Sequence, residues 1–313
     1  MTKNIFTKIF KAITHPKWFL INLLNRYASF ISNDRSYIKW KYWLTFGEKC
    51  NLDNPKTFQE KLQWIKLNDR KDIYHQMVDK YDAKKFIAER VGEEYVIPTL
   101  GIWDKFEDIN FDSLPNQFII KNTYDSGTYF ICKDKSKLDI SEVRKRLMID
   151  DHSRKVDYYV FSREWPYKGL KHRIIAEPLL TDEKVPYLRD FKFYCFNGEP
   201  KIFYITSDKG LGLSTKQDFF DIKGNHIEIQ DISYPNNSIK CPDLPLNLDK
   251  MVTFCKILAK NTLHLRVDFY EVNGMLYLGE FTFFEGGGFC KFTPEKYNRI
   301  LGDWIKLPFE QYL

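Results

Sequence analysis

Charged residues inside a predicted β-hairpin near the C-terminus constrain this fold more than any other feature of the sequence. Residues 266–270 and 275–283 are rich in apolar side chains, and Asn273-Gly274 between them is a strong signal for a tight turn. Asp268 and Glu280 nevertheless lie within these two segments. Because burying a bare charge is very costly, each carboxylate must have a partner.

Two kinds of partner are open to these carboxylates. A magnesium ion held by both would satisfy them, because magnesium commonly takes one or two carboxylates together with phosphate oxygens of a substrate. Alternatively, Asp268 pairs with Arg266, two residues away on the same strand face, and Glu280 pairs with a lysine. The residue types alone leave both possibilities open.

The register of the hairpin bears on this choice. A two-residue turn at Asn273-Gly274 would pair residue 268 with residue 279 and would place Glu280 on the opposite face from Asp268. A three-residue loop over 272–274, with Gly274 in a left-handed conformation, would pair 268 with 278 and make Glu280 a diagonal neighbour on the same face. A shared metal therefore predicts the three-residue loop.

Helical and strand patterns are mixed along the rest of the chain. A capping box of Thr57 and Glu60 begins one helix, and Gly92 is positioned to end another. The clearest further hairpin turns at Asn197-Gly198. The expected helices lie at about 79–91, 141–148 and 248–260, and the expected strands at 118–121, 129–132 and 190–206. This mixture predicts an α+β (α/β) fold rather than an all-α or all-β one.

The absence of motifs argues against several classes of protein. The six Cys lack a CxxC pair and the six His lack metal-binding spacings, so zinc sites and disulfide scaffolds are disfavoured. The phosphate-loop, dinucleotide-binding and nucleophile-elbow patterns are missing too. No DxD motif is present, which weakens a sugar-transferase interpretation. We expect neither a membrane span nor a secretory signal.

Positive charge is concentrated at the N-terminus. The first fifty residues carry nine basic and two acidic side chains, a net charge of +7, which leaves −1 for the rest of the chain. A near-neutral body argues against nucleic acid as a partner. Residues 5–13 place apolar side chains at helical spacing with lysines opposite, which suits contact with an anionic membrane through residues 1–24. The alternative is a helix packed on its own domain.

Lys121 ends a predicted strand and precedes a small loop that contains Ser126, Gly127 and Thr128. The backbone amides of such a loop can cradle phosphate oxygens while the ammonium group neutralises their charge. The alternative is a solvated lysine at the end of a strand.

Four stretches together resemble the ATP-grasp fold, and specifically its TupA-like branch, which is found with bacterial surface-polysaccharide genes. They are NPKTFQEKLQWIKLND (54–69), VDKYDAKKFIAERVGEEYVIPTLG (78–101), RDFKFYCFNGEPKIFYI (189–205) and LRVDFYEVNGMLYLGEFTFFEGGGFCKFTPEKYNRILGDWIKLP (265–308). The resemblance implies two α+β subdomains that grip ATP. We expect a basic segment at 1–30, a helical lobe at 31–110, a small subdomain with a phosphate flap at 111–175 and a large subdomain with the metal site at 176–313.

The resemblance also implies roles for individual residues. Lysines would hold the ATP phosphates, a flexible flap would cover the triphosphate, and two acids would lie near adenine and ribose. In that order these are Lys80 and Lys121, then Ser126, Gly127 and Thr128, then Glu177 and Asp190. Lys192 would face the phosphates, Arg266 would steady the transferring phosphoryl group, and Asp268 and Glu280 would bind magnesium.

One residue departs from the family pattern, and one motif has two possible roles. The family usually has Glu-x-Asn on the second strand of the hairpin, whereas this chain has Thr282 two residues after Glu280. Threonine offers a neutral oxygen with a shorter reach, so one magnesium ion is better supported than two. The following triglycine, 286–288, could bind the acyl acceptor or simply form a tight turn.

ATP-grasp enzymes typically phosphorylate a carboxylate with ATP, after which an amine attacks the acyl phosphate. The resemblance therefore implies an ATP- and Mg2+-dependent carboxylate–amine ligase that modifies a sugar-containing precursor of a bacterial cell-surface polysaccharide such as a capsule. Its carboxylate and amine substrates would derive from sugars or amino acids. The expected location is the cytoplasm, with contact to the inner face of the plasma membrane. The rival functions are a glycosyltransferase and a catalytically silent module that binds nucleotide or polysaccharide.

Overall fold

The computed structural model describes residues 16–147, 157–182, 188–207, 215–237 and 241–310. The apolar stripe expected at residues 5–13 lies outside these ranges. Helices surround two antiparallel sheets, so the predicted α+β class is confirmed. The α-helices in the described ranges are α1 (Pro16–Arg26), α2 (Asp34–Phe46), α3 (Phe58–Asn68), α4 (Ile73–Val78), α5 (Asp82–Val91), α6 (Ile140–Leu147), α7 (Tyr159–Ser162), α8 (Leu248–Leu258) and α9 (Lys296–Trp304).

The strands form a small sheet, a large sheet and a two-stranded ladder. The strands are β1 (Gly101–Trp103), β2 (Phe118–Asn122), β3 (Tyr129–Cys132), β4 (Ile174–Pro178), β5 (Asp190–Phe196), β6 (Glu199–Ser207), β7 (Lys216–Asp221), β8 (His226–Ile227), β9 (Gln230–Asp231), β10 (His264–Val272), β11 (Met275–Thr282) and β12 (Phe292–Thr293). The small sheet has the order β1-β4-β2-β3, the large sheet β11-β10-β5-β6-β7-β8, and β12 pairs with β9. The expected turn at Asn197-Gly198 between β5 and β6 is confirmed, and both turn residues have positive φ.

Side chains alternate along each strand of the large sheet, so one face is apolar and the other carries charged side chains beside aromatic ones such as Tyr194. On β5 and β10, Phe191, Phe193, Val267 and Phe269 are buried in the main hydrophobic core, which also includes side chains of α8. The residues between them, such as Lys192, face the other way. The same alternation that buries the core therefore lines up the charged side chains on one surface.

The small sheet has a core of its own. Phe118 and Ile120 of β2 and Ala176 of β4 pack with Val143 and Leu147 of α6. Because side chains alternate, the opposite face of β2 and β4 carries Lys121 and Glu177. Strand β1 pairs with β4, so this sheet begins in sequence at Gly101–Trp103. The subdomain limits stay a prediction.

Two helix starts follow from local hydrogen bonds. The capping box at α3 is confirmed, since Thr57 and Glu60 bond to each other's backbone N–H groups. The helix expected from about Asp79 begins instead at Asp82. Asp79 Oδ1 accepts the N–H groups of Tyr81 at 2.9 Å and Asp82 at 3.0 Å, so Asp79 caps α5 from outside.

The expected three-residue loop in the β10–β11 hairpin is wrong. Val272 pairs with Met275, so the connection is the two-residue turn at Asn273-Gly274, and both of its residues have positive φ as a hairpin turn requires. A bulge at Gly279 then shifts the register, and Asp268 pairs directly with Glu280. The two carboxylates share one face because of the bulge, not because of the loop.

Glycine at the bulge has a steric reason. A Cβ placed on Gly279 would lie 2.8 Å from the Tyr270 ring on the neighbouring strand. A larger side chain would force that ring or the strand to move.

Over the described ranges, we find no helix with the length and apolar character that crossing a membrane requires.

Candidate active site

Six of the predicted site residues lie on the charged face of the large sheet. The pairing of Arg266 with Thr282, of Asp268 with both Glu280 and Lys192, and of Tyr270 with Asp190 fixes this arrangement. Residues paired across neighbouring strands have Cβ atoms about 5 Å apart and point the same way. The register therefore brings together Asp190, Lys192, Arg266, Asp268, Glu280 and Thr282.

Arg266 is the centre of this cluster. Its Nε lies 2.6 Å from Asp268 Oδ1 and its Nη2 lies 2.7 Å from Asp268 Oδ2, a bidentate pair. The same Nη2 lies 2.9 Å from Glu280 Oε1, and Nη1 donates to Glu285. Lys192 donates a further hydrogen bond to Asp268. Of the two partners considered for Asp268, the structure contains the ion pair with Arg266. The same carboxylate is the one that could bind a metal.

The pKa values of Asp268 and Glu280 are shifted in opposite directions by their surroundings. Burial raises the pKa of Asp268, and the charges of Arg266 and Lys192 offset this only in part. Glu280 is 42% exposed. Burial acts to raise the pKa of Glu280 as well, but Lys192, Arg266 and Lys80 outweigh it and bring the pKa to about 2. Glu280 is therefore ionised at neutral pH.

Glu177 forms the second ionic cluster, on the small sheet. Its Oε2 lies 2.6 Å from Lys121 Nζ and its Oε1 lies 2.7 Å from Lys84 Nζ. Burial acts to raise the pKa of Glu177, but the two lysines outweigh it and the pKa falls below its usual range. Burial lowers the pKa of Lys84, although Glu177 opposes that shift. Lys121 and Glu177, to which the resemblance gave separate roles at the phosphates and near adenine, are thus in direct contact.

Lys80 connects the two clusters. Its ammonium group donates to the backbone carbonyl of Asp125, and its own N–H donates to Thr123 O at 3.0 Å. Burial lowers the pKa of Lys80, while the charges of Asp125 and Glu280 raise it and that of Lys121 lowers it. Lys80 therefore lies in the electric field of both sheets.

The predicted flap is close to Lys80 but outside these ion pairs. Ser126 and Gly127 are exposed, and Gly127 has φ +84° with open space around its Cα. Thr128 O accepts the Asn122 N–H at 3.2 Å, which closes the loop between β2 and β3. Its position beside Lys80 suits a loop that lies over a bound anion.

Asp190 lies at the edge of the large-sheet cluster. Its Oδ2 accepts a hydrogen bond of 2.9 Å from the Thr206 hydroxyl. Burial, followed by the charge of Asp190, raises the pKa of Tyr270 far above its usual range. Asp190 thus bonds to Thr206, and its charge also acts on Lys192 of the cluster.

The sequence interpretation missed Lys84, Glu285 and Lys66. Lys84 lies on α5 four residues after Lys80, and its sequence context gives no signal for the ion pair with Glu177. Glu285 precedes the triglycine and pairs with Arg266. Lys66 is fully buried, and its Nζ lies 2.7 Å from Gly287 O and 2.9 Å from Ser162 O. A lysine on a helix gives no sequence signal for such burial.

The triglycine turn is held from behind by α3. Gln63 Nε2 donates to Gly288 O at 2.9 Å, and Lys66 donates to Gly287 O. Glu164 lies close by, with Oε1 3.6 Å from the position of a Cβ on Gly287. Burial raises the pKa of Glu164 to about 7, against the charges of Lys66 and Lys41. The turn is therefore a fixed feature at one end of the charged face.

The donor set fits a magnesium ion in part. Asp268 and Glu280 supply two carboxylates on one face, which is the number that magnesium commonly takes from a protein when phosphates complete its shell. Thr282 lies on the same face, paired with Arg266. In the described part of the chain, no three His, Cys, Asp or Glu side chains converge as a metal cluster. The residues thus suit a cation that arrives with a phosphorylated ligand.

A cleft of about 910 Å³ lies next to the small-sheet cluster. It is lined by Tyr81, by Asp82 and Lys84 of α5, and by residues 96–99, 101 and 102. Lys84 connects this cleft with Glu177, whereas Asp268 and Glu280 do not line it.

Two antiparallel sheets, each with a cluster of charged side chains on one face, agree with the ATP-grasp class. The model of the TupA-like ATP-grasp family matches residues 60–306. The chain belongs to this family, as the resemblance predicted.

Solved structures with detectable similarity are remote. D-alanine–D-alanine ligase from Bacillus anthracis complexed with ATP is 17% identical with a TM-score of 0.39, over 66% of this chain and 54% of that chain. N5-carboxyaminoimidazole synthetase from Staphylococcus aureus complexed with ADP is 13% identical with a TM-score of 0.40, over 74% and 53%. The chain spans about half the length of these two proteins. No curated protein sequence matches it significantly.

Proposed function

We propose that the protein is an ATP- and Mg2+-dependent carboxylate–amine ligase that forms an acyl phosphate and modifies a sugar-containing precursor of a bacterial surface polysaccharide. The observation that carries the proposal is the cluster of Arg266 with Asp268, Glu280 and Glu285. The charge of Lys80 helps to lower the pKa of Glu280 in this cluster. Phosphoryl transfer needs positioned cations and metal-binding carboxylates rather than a side-chain nucleophile. The membership in the TupA-like family supports the same activity.

Residues near the small sheet and residues on the large sheet would bind different parts of Mg·ATP. Lys80 and Lys121 would bind the phosphates, with the loop at 126–128 above them and Glu177 and Asp190 toward the nucleoside. Bound Mg2+ would neutralise phosphate oxygens and would be held by Asp268 and Glu280, with Thr282 beside them.

Arg266 and Lys192 would act on the transferring group. Arg266 would hold the transferring phosphoryl group and then the oxyanion that forms when the amine attacks, since fixed donors stabilise charge where it develops. Lys192, on the neighbouring strand, would turn its ammonium group from Asp268 to the phosphates. The reaction then depends chiefly on positioning and on electrostatic stabilisation.

Nucleotide consumption distinguishes a ligase from two other functions, a glycosyltransferase and a silent binding module. A ligase converts ATP to ADP when both substrates are present, whereas a glycosyltransferase consumes a nucleotide-sugar. A silent binding module would be stabilised by Mg·ATP without turnover. An ADP-release screen over uronic acids, amino sugars and amino acids distinguishes the three.

We also propose a cytoplasmic location with contact to the inner face of the plasma membrane, where precursors of surface polymers are attached to lipids. The basic N-terminal segment, residues 1–24, supports this placement through its charge.

The first prediction concerns nucleotide binding. Lys121→Ala and Glu280→Gln should each abolish the rise in melting temperature that Mg·ATP gives the wild type, because a ligand stabilises the fold only through its affinity for the folded state. Circular dichroism should show an intact fold. Lys171→Ala and Glu199→Gln, whose side chains are 63% and 57% exposed, are matched controls and should respond like wild type. If the two site variants also respond like wild type, the site assignment is wrong.

A further inference from the structure

The first two helices expose an unusual number of large apolar side chains. Helix α1 buries none of its residues. Phe30 is 82% exposed, and Trp40 and Trp43 on α2 are each 54% exposed. We call the following set the aromatic face: Trp18, Phe19, Leu20, Leu23, Tyr27, Phe30, Trp40 and Trp43. Grouped exposed apolar side chains on a soluble fold usually mark a docking surface.

Polar contacts hold the aromatic face in place. The Lys17 ammonium lies 3.2 Å from the position of a Cβ on Gly47, so the start of α1 lies beside the end of α2 and the helices run antiparallel. The Tyr37 hydroxyl donates to Asn25 Oδ1 at 2.8 Å, which joins the two helices. Arg163 Nη2 donates to Ala28 O at 2.8 Å and fixes the connection to the body. The exposure is thus a property of an anchored helical hairpin.

The composition of this surface indicates its partner. Trp and Tyr combine an apolar ring with a polar edge, which suits the boundary between lipid headgroups and acyl chains. Lys17, Arg26 and Lys39 are exposed around these rings. The first fifty residues carry +7 against −1 for the remainder, so the positive charge of the chain is concentrated at this end. An anionic surface complements that charge while its interior accepts the rings.

We propose that the aromatic face docks on an anionic phospholipid bilayer and lies in its interface. This places Trp40 and Trp43 of α2 in the contact, in addition to the N-terminal residues whose sequence suggested membrane binding. The proposal rests on the membrane contact proposed above, to which it adds a defined surface, and it does not depend on the chemistry of the active site.

The inner side of α2 faces the candidate site. The Phe46 ring lies 6.1 Å from the Phe289 ring, and Lys41 Nζ lies 5.5 Å from the same ring. Phe289 directly follows the triglycine turn at 286–288, which in turn follows Glu285, the partner of Arg266. A single helix, about 10 Å in diameter, thus separates the aromatic face from this end of the site. If the proposed ligase activity holds, the bilayer would present a lipid-anchored acceptor beside the turn.

Vesicle flotation tests the docking directly. The full-length protein is mixed with vesicles of phosphatidylcholine alone or with an equal part of phosphatidylglycerol. Wild type should float with the anionic vesicles and remain behind with the neutral ones. Trp40→Ser/Trp43→Ser should reduce the partition coefficient by roughly tenfold or more, the change that follows from losing one well-buried contact. The matched control Ile232→Ser/Leu246→Ser removes side chains that are 59% and 82% exposed elsewhere and should float like wild type.

Each outcome decides the proposal. It is overturned if wild type stays behind with both kinds of vesicle, or if the Trp variant floats as well as wild type. It is also overturned if sedimentation velocity shows a wild-type dimer that the Trp variant dissociates while neither protein floats, because a second copy then covers the face. The Mg·ATP thermal shift is recorded for all three proteins. If the wild type floats with anionic vesicles but Mg·ATP does not raise its melting temperature, only the ligase proposal is contradicted.

Discussion

Arg266 carries the charge balance of the candidate site. One buried guanidinium contacts Asp268, Glu280 and Glu285, and Lys192 adds a second cation to Asp268. Burial lowers the pKa of Arg266, but the three carboxylates outweigh this and hold it well above its usual range. The arginine is therefore charged at any pH at which the fold exists, and the carboxylates around it remain in place without a ligand.

His264 gives a prediction that can be tested through pH. Its ring is buried against Phe58, Tyr194 and Phe196, and burial lowers its pKa to about 3. The folded protein keeps this ring neutral while the unfolded chain takes up a proton below about pH 6.5. The free energy of unfolding should therefore fall as the pH drops from about 6.5 toward 3, by at most about 1.4 kcal/mol per pH unit from this residue.

The variant His264→Phe lacks the proton but keeps an aromatic ring. Relative to wild type, its free energy of unfolding should rise as the pH is lowered, because only the wild type loses stability through this ring. Urea unfolding of both proteins at about pH 7.5 and about pH 5 measures this difference, in which all other titrating groups cancel. Parallel pH profiles for the two proteins would contradict the assignment.

Single residues also show where prediction from sequence ended. Asp268 and Glu280 could be identified because a charge inside an apolar strand must be compensated. Lys66, Lys84 and Glu285 could not, because lysine and glutamate on helices and loops are usually solvated. Their burial depends on neighbours that lie far away in the chain, such as Gly287 for Lys66.

The β10–β11 hairpin is the element whose geometry the sequence predicted least well. The turn at Asn273-Gly274 and both strands could be predicted from turn chemistry and alternation. The bulge at Gly279 could not, because a single extra residue in a strand leaves the apolar pattern nearly unchanged. Its effect is large all the same, since a one-residue shift decides whether Glu280 shares a face with Asp268.

Helix α3 gives a prediction at the level of an element. Thr57 Oγ1 accepts the Glu60 N–H at 3.3 Å, and Glu60 Oε2 accepts the Thr57 N–H at 3.1 Å. Thr57→Ala removes one half of this capping box and should lower the free energy of unfolding by about 1 kcal/mol. Thr57→Ser keeps the hydroxyl group and should lose much less. Urea unfolding measures both, and equal losses would show that the hydroxyl is not what stabilises this end.

In the whole molecule the two sheets have separate hydrophobic cores that share no residue among the described side chains, and a smaller third cluster includes Ile38 and Tyr42. Phe118 and Ile120 belong to the core of the small sheet, and Phe203 and Ile205 to that of the large sheet. Local stability in proteins follows such cooperative units. The sequence predicted the mixed class and most strands, whereas this division depends on which strands pair, and pairing between distant segments has no local signal.

Separate cores predict separable unfolding. Ile120→Ala should cost about 2–5 kcal/mol in the small-sheet core, because a buried cavity is left. Hydrogen exchange should then speed up in β2, β3 and β4 while β5, β6 and β10 keep their protection. Ile205→Ala should give the reverse pattern. If Ile120→Ala lowers protection equally in both sheets, the molecule unfolds as one unit and the separation is wrong.

The contacts of Arg266 have a consequence for the order in which ligands enter. Both oxygens of Asp268 are already engaged by a cation that belongs to the protein. A bare divalent ion would have to displace that guanidinium from its bidentate, buried partner and would supply no new anion in exchange. A nucleotide that arrives together with its metal supplies phosphates to which Arg266 can turn. The guanidinium thus competes with a free metal ion for Asp268. We expect the site to bind the metal–nucleotide complex and not the free ion.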